Sequence, residues 1–152
     1  MIIQYQDLQN IRKNTDKKIV FCSLSFDLLH AGHVLFFEDC KKFGDILVVA
    51  VGDDSILKIK GDDRPILNQN IRLKMADSIK AVDYCFIHKN IQGEYLNTYT
   101  EEVLELLQPD VWVVNEDASE IPFRKELAAK HNVDFQVLSR ECPKEYENIS
   151  TS

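Results

Sequence analysis

Glycine and proline are scarce, five and four in 152 residues, and they gather into no Gly/Ser-rich or Pro-rich linker. No internal repeat or low-complexity tract interrupts the chain, so one folded unit is expected. The four cysteines, Cys22, Cys40, Cys85 and Cys142, are widely spaced and form no CxxC pair. That excludes a zinc ribbon or a thioredoxin-like redox motif and leaves reduced, buried thiols as the expectation. No apolar run approaches the roughly 18 residues that cross a bilayer. The opening stretch MIIQYQDLQNIRKNTDKK lacks the charged start, apolar core and cleavage site of a signal peptide, so a cytoplasmic location and no membrane partner are expected. Basic residues are also in short supply, 18 against 25 acidic, for a net charge of −7. Such a surface is a poor non-specific binder of nucleic acid or anionic lipid, which require a basic field. Small molecules are the expected ligands, and a local cationic pocket for phosphates is still compatible with the overall sign.

What the chain does contain is a 45% hydrophobic, 28% charged composition typical of a globular domain. Short apolar runs alternate with helical periodicity. Strands are predicted at 18–22 (KIVFC), 46–51 (ILVVAV), 84–87 (YCFI), 111–114 (VWVV) and 135–138 (FQVL). All but the last lack polar alternation, which suits parallel strands covered on both faces. Helices are predicted at 31–42 and at about 68–80, 100–107 and 120–131. This order gives an α/β fold, a Rossmann-like doubly wound parallel sheet of about five strands in a single domain spanning 1–152. Residues 1–17 form a helical N-terminal extension, and the stretch 52–70 is a long loop carrying Lys58, Lys60 and Arg64.

Directly after the first strand comes Ser23-Leu24-Ser25-Phe26-Asp27-Leu28-Leu29-His30-Ala31-Gly32-His33, then an apolar helix. His30 and His33 therefore meet at a strand-to-helix junction, where unpaired backbone N–H groups favour an anion. Gly32 has no side chain to obstruct a ligand approaching the backbone. The alternatives are two histidines that merely cap a helix, or zinc ligands; a zinc site needs three or four donors, and neither CxxC nor HxxxH accompanies the pair.

The segment FDLLHAGH followed by Cys40-Lys41-Lys42-Phe43-Gly44-Asp45 resembles the cytidylyltransferase-like nucleotidyltransferases, whose pattern is a strand, G-x-F-D-x-x-H-x-G-H, a helix ending in Lys-x-x-Gly-Asp, and a second strand. Further matches in order are Arg64-Pro65, Arg72, Ala81-Val82-Asp83, Pro109-Asp110 and Ile149-Ser150-Thr151-Ser152, the last similar to an I-S-T-T motif that opens a final helix. The chain therefore stops inside that motif, and a fold shorn of its C-terminal helix is expected. Lys60-Gly61-Asp62-Asp63-Arg64-Pro65 is most similar to enzymes that adenylylate a heptose 1-phosphate, with glycerol-3-phosphate cytidylyltransferases close behind and FAD synthetase-like adenylyltransferases sharing much of the framework.

Nucleotidyl transfer sends an acceptor phosphate oxygen against the α-phosphorus of an NTP and expels pyrophosphate. The acceptor is already ionised, so the protein's task is positioning and charge stabilisation. The resemblance implies His30, His33 and Lys41 as catalytic contacts to the reacting phosphates. It implies Ser25, Phe26, Lys60, Arg72, Asn115, Asp117, Ser150 and Thr151 as nucleotide- or phosphate-binding residues. Asp27 is read as orienting a turn. Mg²⁺ is expected as a cofactor bridging triphosphate oxygens, with no protein metal ligand assigned, since Asp53, Asp54, Asp62 and Asp63 read as a solvated acidic run. The implied partners are an NTP, ATP or CTP, and a small sugar or alditol phosphate for cell-envelope or capsule precursors, in a homodimer.

Three departures stand out. Leu24 replaces a family glycine and is expected to narrow the nucleotide pocket. Val114-Asn115-Glu116-Asp117 replaces a glycine-containing turn, and Glu141 to Asn148 lengthens the connection to the last motif. They leave open a catalytically decayed nucleotide-binding module.

Overall fold

The five apolar runs become five parallel strands: β1 (Ile19–Leu24), β2 (Ile46–Gly52), β3 (Tyr84–His88), β4 (Val111–Asn115) and β5 (Asp134–Leu138). Their order in the sheet is β3-β2-β1-β4-β5. The computed structural model describes residues 1–59, 61–89, 99–139 and 143–146. Lys60, Cys142, Ser150 and Thr151, and with them the expectations for the last motif, lie outside the described residues. β1 is central, running in register with β2 from Ile19 opposite Ile46 to Leu24 opposite Val51, and pairing with β4 through Val20 and Phe21. After β1 the chain winds to one side of the sheet, and with β4 it winds to the other. The sheet thus reverses its winding at the β1/β4 boundary, where open α/β sheets leave a crevice beyond the strand carboxyl ends.

Among the described residues six α-helices cover the two faces: α1 (Leu8–Lys13), α2 (Ala31–Lys41), α3 (Asp54–Lys58), α4 (Gln69–Asp77), α5 (Thr100–Leu107) and α6 (Ile121–Lys130). Strand residues alternate between the faces, as the pleat requires. One face gathers Val20, Cys22, Val49, Val51, Cys85 and Val113 against Phe36, Phe37 and Cys40 of α2 and Leu73 and Ala76 of α4. The other gathers Phe21, Val48, Phe86, Trp112 and Val114 against α1, α5 and α6. β5 is an edge strand with only half-buried or exposed residues, which explains why its run alone alternates with polar positions.

The stretch expected to be a long loop contains α3. Asp53 caps it by accepting from the Ile56 amide at 3.1 Å, and Ile56 and Leu57 are buried. An Asp three residues before an apolar pair is a helix start, but five residues are too few for periodicity to show. The N-terminal extension packs onto the domain through Leu8 and Ile11, while Ile2 bridges Cys85 alongside β3. Arg12 binds Asp110 at 3.1 Å and the carbonyl of Lys17 at 2.8 Å, tying α1 to the start of β4. Cys22 and Cys40 meet in the first core with no solvent exposure. Burial, and next the neighbouring Cys22 thiol, push the Cys40 thiol well above its ordinary range. No helix among the described residues is long and apolar enough to cross a membrane.

Candidate active site

His30 is the residue ahead of α2, in extended conformation, with its ring folded back over the helix start. Its Nδ1 accepts from the Gly32 amide at 3.1 Å, and the Nδ1 of His33 accepts from the His30 amide at 3.2 Å. Two imidazoles thus make a reciprocal cap, satisfying two N–H groups that a helix start leaves unbonded. A neutral imidazole accepting at Nδ1 carries its proton on Nε2, so this network assigns both rings the Nε2–H tautomer. The rings stack with centroids 3.8 Å apart and planes 28° from parallel. Two N–H donors therefore stand side by side at the positive end of an eleven-residue helix, beyond the carboxyl end of β1.

Gly32 has a second reason to be glycine. A β-carbon there would lie 2.9 Å from Cε1 of His30, so the space the sequence suggests for a ligand is taken by the capping ring itself. Phe26 is 2% exposed and packs on His33 with ring centroids 5.4 Å apart. Ser25, half-buried, stays at the mouth of the crevice beside Gly52. Leu24, at the end of β1, is half-buried and packs against the first core.

Two basic residues are engaged within the fold. Lys41 lies at the far end of α2, about 15 Å from His30 at 1.5 Å of rise per residue. There it forms an ion pair with Asp83 and donates to the Asp45 carbonyl at 2.7 Å, ahead of β3 and β2. A helix that starts at the carboxyl edge ends at the amino edge, and this places Lys41 away from the histidines. Arg72 has no solvent exposure and spends its guanidinium on the carbonyls of Leu67 (2.9 Å), Gly52 (2.7 Å) and Phe26 (3.5 Å) and on Asp54 (2.9 Å). It ties these segments to one another.

Asp27 is a structural tie as well. Its buried carboxylate accepts from the amides of Ile66 (2.9 Å) and Leu67 (3.0 Å) and from Arg64 (2.9 Å). Burial alone would raise its pKa; the two amides and Arg64 outweigh that and hold it below the ordinary carboxylate value. On the other flank of the crevice, Asn115 ends β4 opposite Leu138, and its carbonyl accepts from Ala118 at 3.0 Å to start the turn bearing exposed Asp117.

Two further polar residues, His88 and Arg124, belong to no motif of the sequence. His88 ends β3 and is 4% exposed; burial first, then the charge of Arg124, lowers its pKa to about 4. Arg124 is 8% exposed and stands 6.0 Å over the Trp112 ring. Its position was visible in the spacing of Ile121, Arg124, Leu127 and Ala128, which puts an arginine on the inward stripe of α6. A separate group, Glu101, Glu105 and His131, has ligand atoms within 4.8 Å of one another, but it belongs to the α5–α6 flank, on the sheet face opposite α2.

Residues 24–152 match the model of the cytidylyltransferase-like family. The bifunctional protein HldE of Aliarcobacter butzleri is 38% identical over 105 residues, 68% of this chain and 21% of that protein. HldE of Helicobacter pylori strain J99 is 34% identical over 117 residues, 76% of this chain and 24% of that protein. The chain thus spans less than a quarter of the length of these relatives. Among solved structures, a lipopolysaccharide core biosynthesis protein from Thermoplasma volcanium superposes with a TM-score of 0.67 at 27% identity, covering 83% of this chain and 99% of that one. A pantoate-beta-alanine ligase from Francisella tularensis shares the fold, with a TM-score of 0.66 at 17% identity, covering 95% of this chain and 68% of that one. The paired imidazoles thus stand at the carboxyl edge of a parallel sheet, beside the reversal of its winding. The chain belongs to the cytidylyltransferase-like family.

Proposed function

We propose that the chain transfers a nucleoside monophosphate from ATP or CTP to a small phosphorylated sugar or alditol, releasing pyrophosphate, in the cytoplasmic synthesis of cell-envelope precursors. The carrying observation is the stacked His30–His33 pair with both Nε2–H groups at the start of α2. An acceptor phosphate oxygen forms the new bond to the α-phosphorus as the bond from that phosphorus to the β-phosphate bridging oxygen breaks. Charge accumulates on the phosphoryl oxygens, where fixed N–H donors and a helix N-terminus stabilise it without reorganising. The sugar-phosphate side of the reading is supported by the HldE relatives and the lipopolysaccharide core biosynthesis protein.

Mg²⁺ fits as a companion of the triphosphate. At the carboxyl edge Asp27 is engaged by amides and Arg64, Asp53 by the Ile56 amide and the Ser55 hydroxyl, and Asp54 by Arg72. These carboxylates are committed, so the ion would be held chiefly by phosphate oxygens and water. It supplies charge neutralisation when bound.

The deciding experiment is pyrophosphate release with ATP, CTP, GTP or UTP, Mg²⁺ and a panel of sugar and alditol phosphates. His30→Ala should lower turnover by roughly 10²- to 10³-fold, the usual loss on deleting one fixed donor. Unchanged turnover would sink the assignment. A melting-temperature screen with the four nucleotides identifies the base, because a ligand of the folded state raises stability by mass action. Nucleotide binding without pyrophosphate release from any acceptor would instead favour a decayed binding module. A homodimer is part of the reading, and sedimentation of the purified chain tests it.

A further inference from the structure

Arg72 and Asp27 are opposite charges buried beside the crevice, and they meet on one residue. The Leu67 amide donates to Asp27 at 3.0 Å, and the Leu67 carbonyl accepts from Arg72 Nε at 2.9 Å. Taking either charge out of water is costly unless its partners are well placed. Arg72 lies on a stripe with Leu73 and Ala76 that an apolar residue would fill. Its presence there needs a reason beyond filling space.

The reason lies in what the guanidinium holds. Its acceptors come from the end of β2 (Gly52), the start of α3 (Asp54), the segment before α4 (Leu67) and the loop bearing the histidines (Phe26). The planar fork of an arginine can serve several acceptors at fixed angles, and a lysine cannot. Phe26 carries the restraint onward: its carbonyl accepts from Arg72, and its ring packs on His33, whose Nδ1 holds the His30 amide. Asp27, next in sequence, fastens the same loop to Arg64, Ile66 and Leu67.

We propose that Arg72 and Asp27 are positioning residues for nucleotidyl transfer, fixing His33 and His30 through Phe26 without touching substrate. The proposal rests on reading the two histidines as the catalytic pair. A displacement of 1 Å at a reacting group lowers the rate by about 10²-fold, which sets the scale of the effect.

The test is a double-mutant cycle on the full chain, read as pyrophosphate release per folded molecule, with circular dichroism and melting to establish folding. Arg72→Lys should lower kcat by about 10²-fold while the NTP KM moves less than about threefold. In the His30→Ala background the same substitution should lower kcat by less than about threefold, because there is one fewer positioned donor to lose. Asp27→Asn, which preserves shape, should behave likewise with about a tenfold loss, and it decides the matter if Arg72→Lys does not fold. Equal losses in both backgrounds would overturn the proposal alone, since they mean an independent contact with the phosphates. Undiminished turnover per folded molecule would also overturn it, leaving the ties purely structural. Wild-type turnover in His30→Ala would instead remove the reading of the site beneath it, and the proposal with it.

Discussion

The hydroxyl oxygen of Ser25 lies 2.5 Å from where a β-carbon on Gly52 would stand. The ends of β1 and β2 are thus packed side chain against bare backbone, at the level where the loop of the histidines departs. Gly52→Ala should push Ser25 and its loop aside, since Ile56 closes the space at 3.3 Å from another direction. The expected result is a stability loss of about 1–3 kcal/mol in a denaturant titration, as for overpacked cores, together with a raised KM for the NTP. A wild-type KM would show that Ser25 does not report on the nucleotide.

Gly32→Ala separates activity from stability. Alanine is favoured over glycine inside a helix by roughly 1 kcal/mol, which offsets part of the strain. Yet the new methyl would stand 2.9 Å from Cε1 and 3.0 Å from Nδ1 of His30 and displace the ring from its cap. Turnover should fall about as far as in His30→Ala, roughly 10²-fold or more, while the melting temperature moves by only a few degrees. Initial-rate and thermal-melt measurements on the same preparation check both halves.

Lys41→Met should behave in the opposite way. The lysine pairs with Asp83, whose carboxylate also accepts from the Leu47 amide at 2.8 Å, so its loss weakens the amino edge of the sheet. Both charged groups are about a third exposed, and a stability loss of about 0.2–1 kcal/mol is expected. With the catalytic end a helix length away, kcat should stay within about twofold of wild type. A loss of kcat by orders of magnitude would return Lys41 to the reacting phosphates.

Acid stability should depend on His88. Its pKa falls from 6.5 to about 4 in the folded state because burial and Arg124 disfavour the charged ring. Between those values the unfolded chain binds a proton that the folded protein does not, so stability rises with pH there. The contribution is fully present above about pH 6.5 and is lost as the pH falls toward 4, with a slope of up to about 1.4 kcal/mol per pH unit. His88→Gln should flatten that part of the urea-midpoint profile. Asp27, whose pKa is also lowered, acts in the same direction in a more acidic window, contributing stability that is lost as its carboxylate protonates. An unaltered slope in the His88 variant would assign the acid sensitivity elsewhere.

The sheet was legible because β1 to β4 are runs such as Val48-Val49-Ala50-Val51, buried on both faces, and a strand of that kind writes itself as continuous apolar sequence. The histidine pair was legible because H-x-G-H sits where a strand gives way to a helix. What did not show was the direction of the long cations. Arg72, Lys41 and Arg124 are all compatible with a phosphate site by residue type, and only the path of each helix decides where the charge arrives. For Arg72 and Arg124 a clue was present in their inward stripes. For Lys41 the clue was its distance along α2 from His33, which counted residues but not the edge of the sheet they lead to. α3 was too short to betray itself, and the burial of Phe26 against His33 did not show in its residue type.

The buried thiols have a consequence for handling the protein. Cys22, Cys40 and Cys85 have no solvent exposure, and burial raises the Cys85 thiol to about 11 and the Cys40 thiol beyond the usual range. An alkylating reagent must reach the sulfur, and these three become accessible only when the sheet and its covering helices come apart. Labelling of those three sulfurs, followed by mass spectrometry residue by residue, is therefore a clock for the opening of the fold itself. Nucleotides that bind the closed crevice should slow that clock in proportion to their affinity.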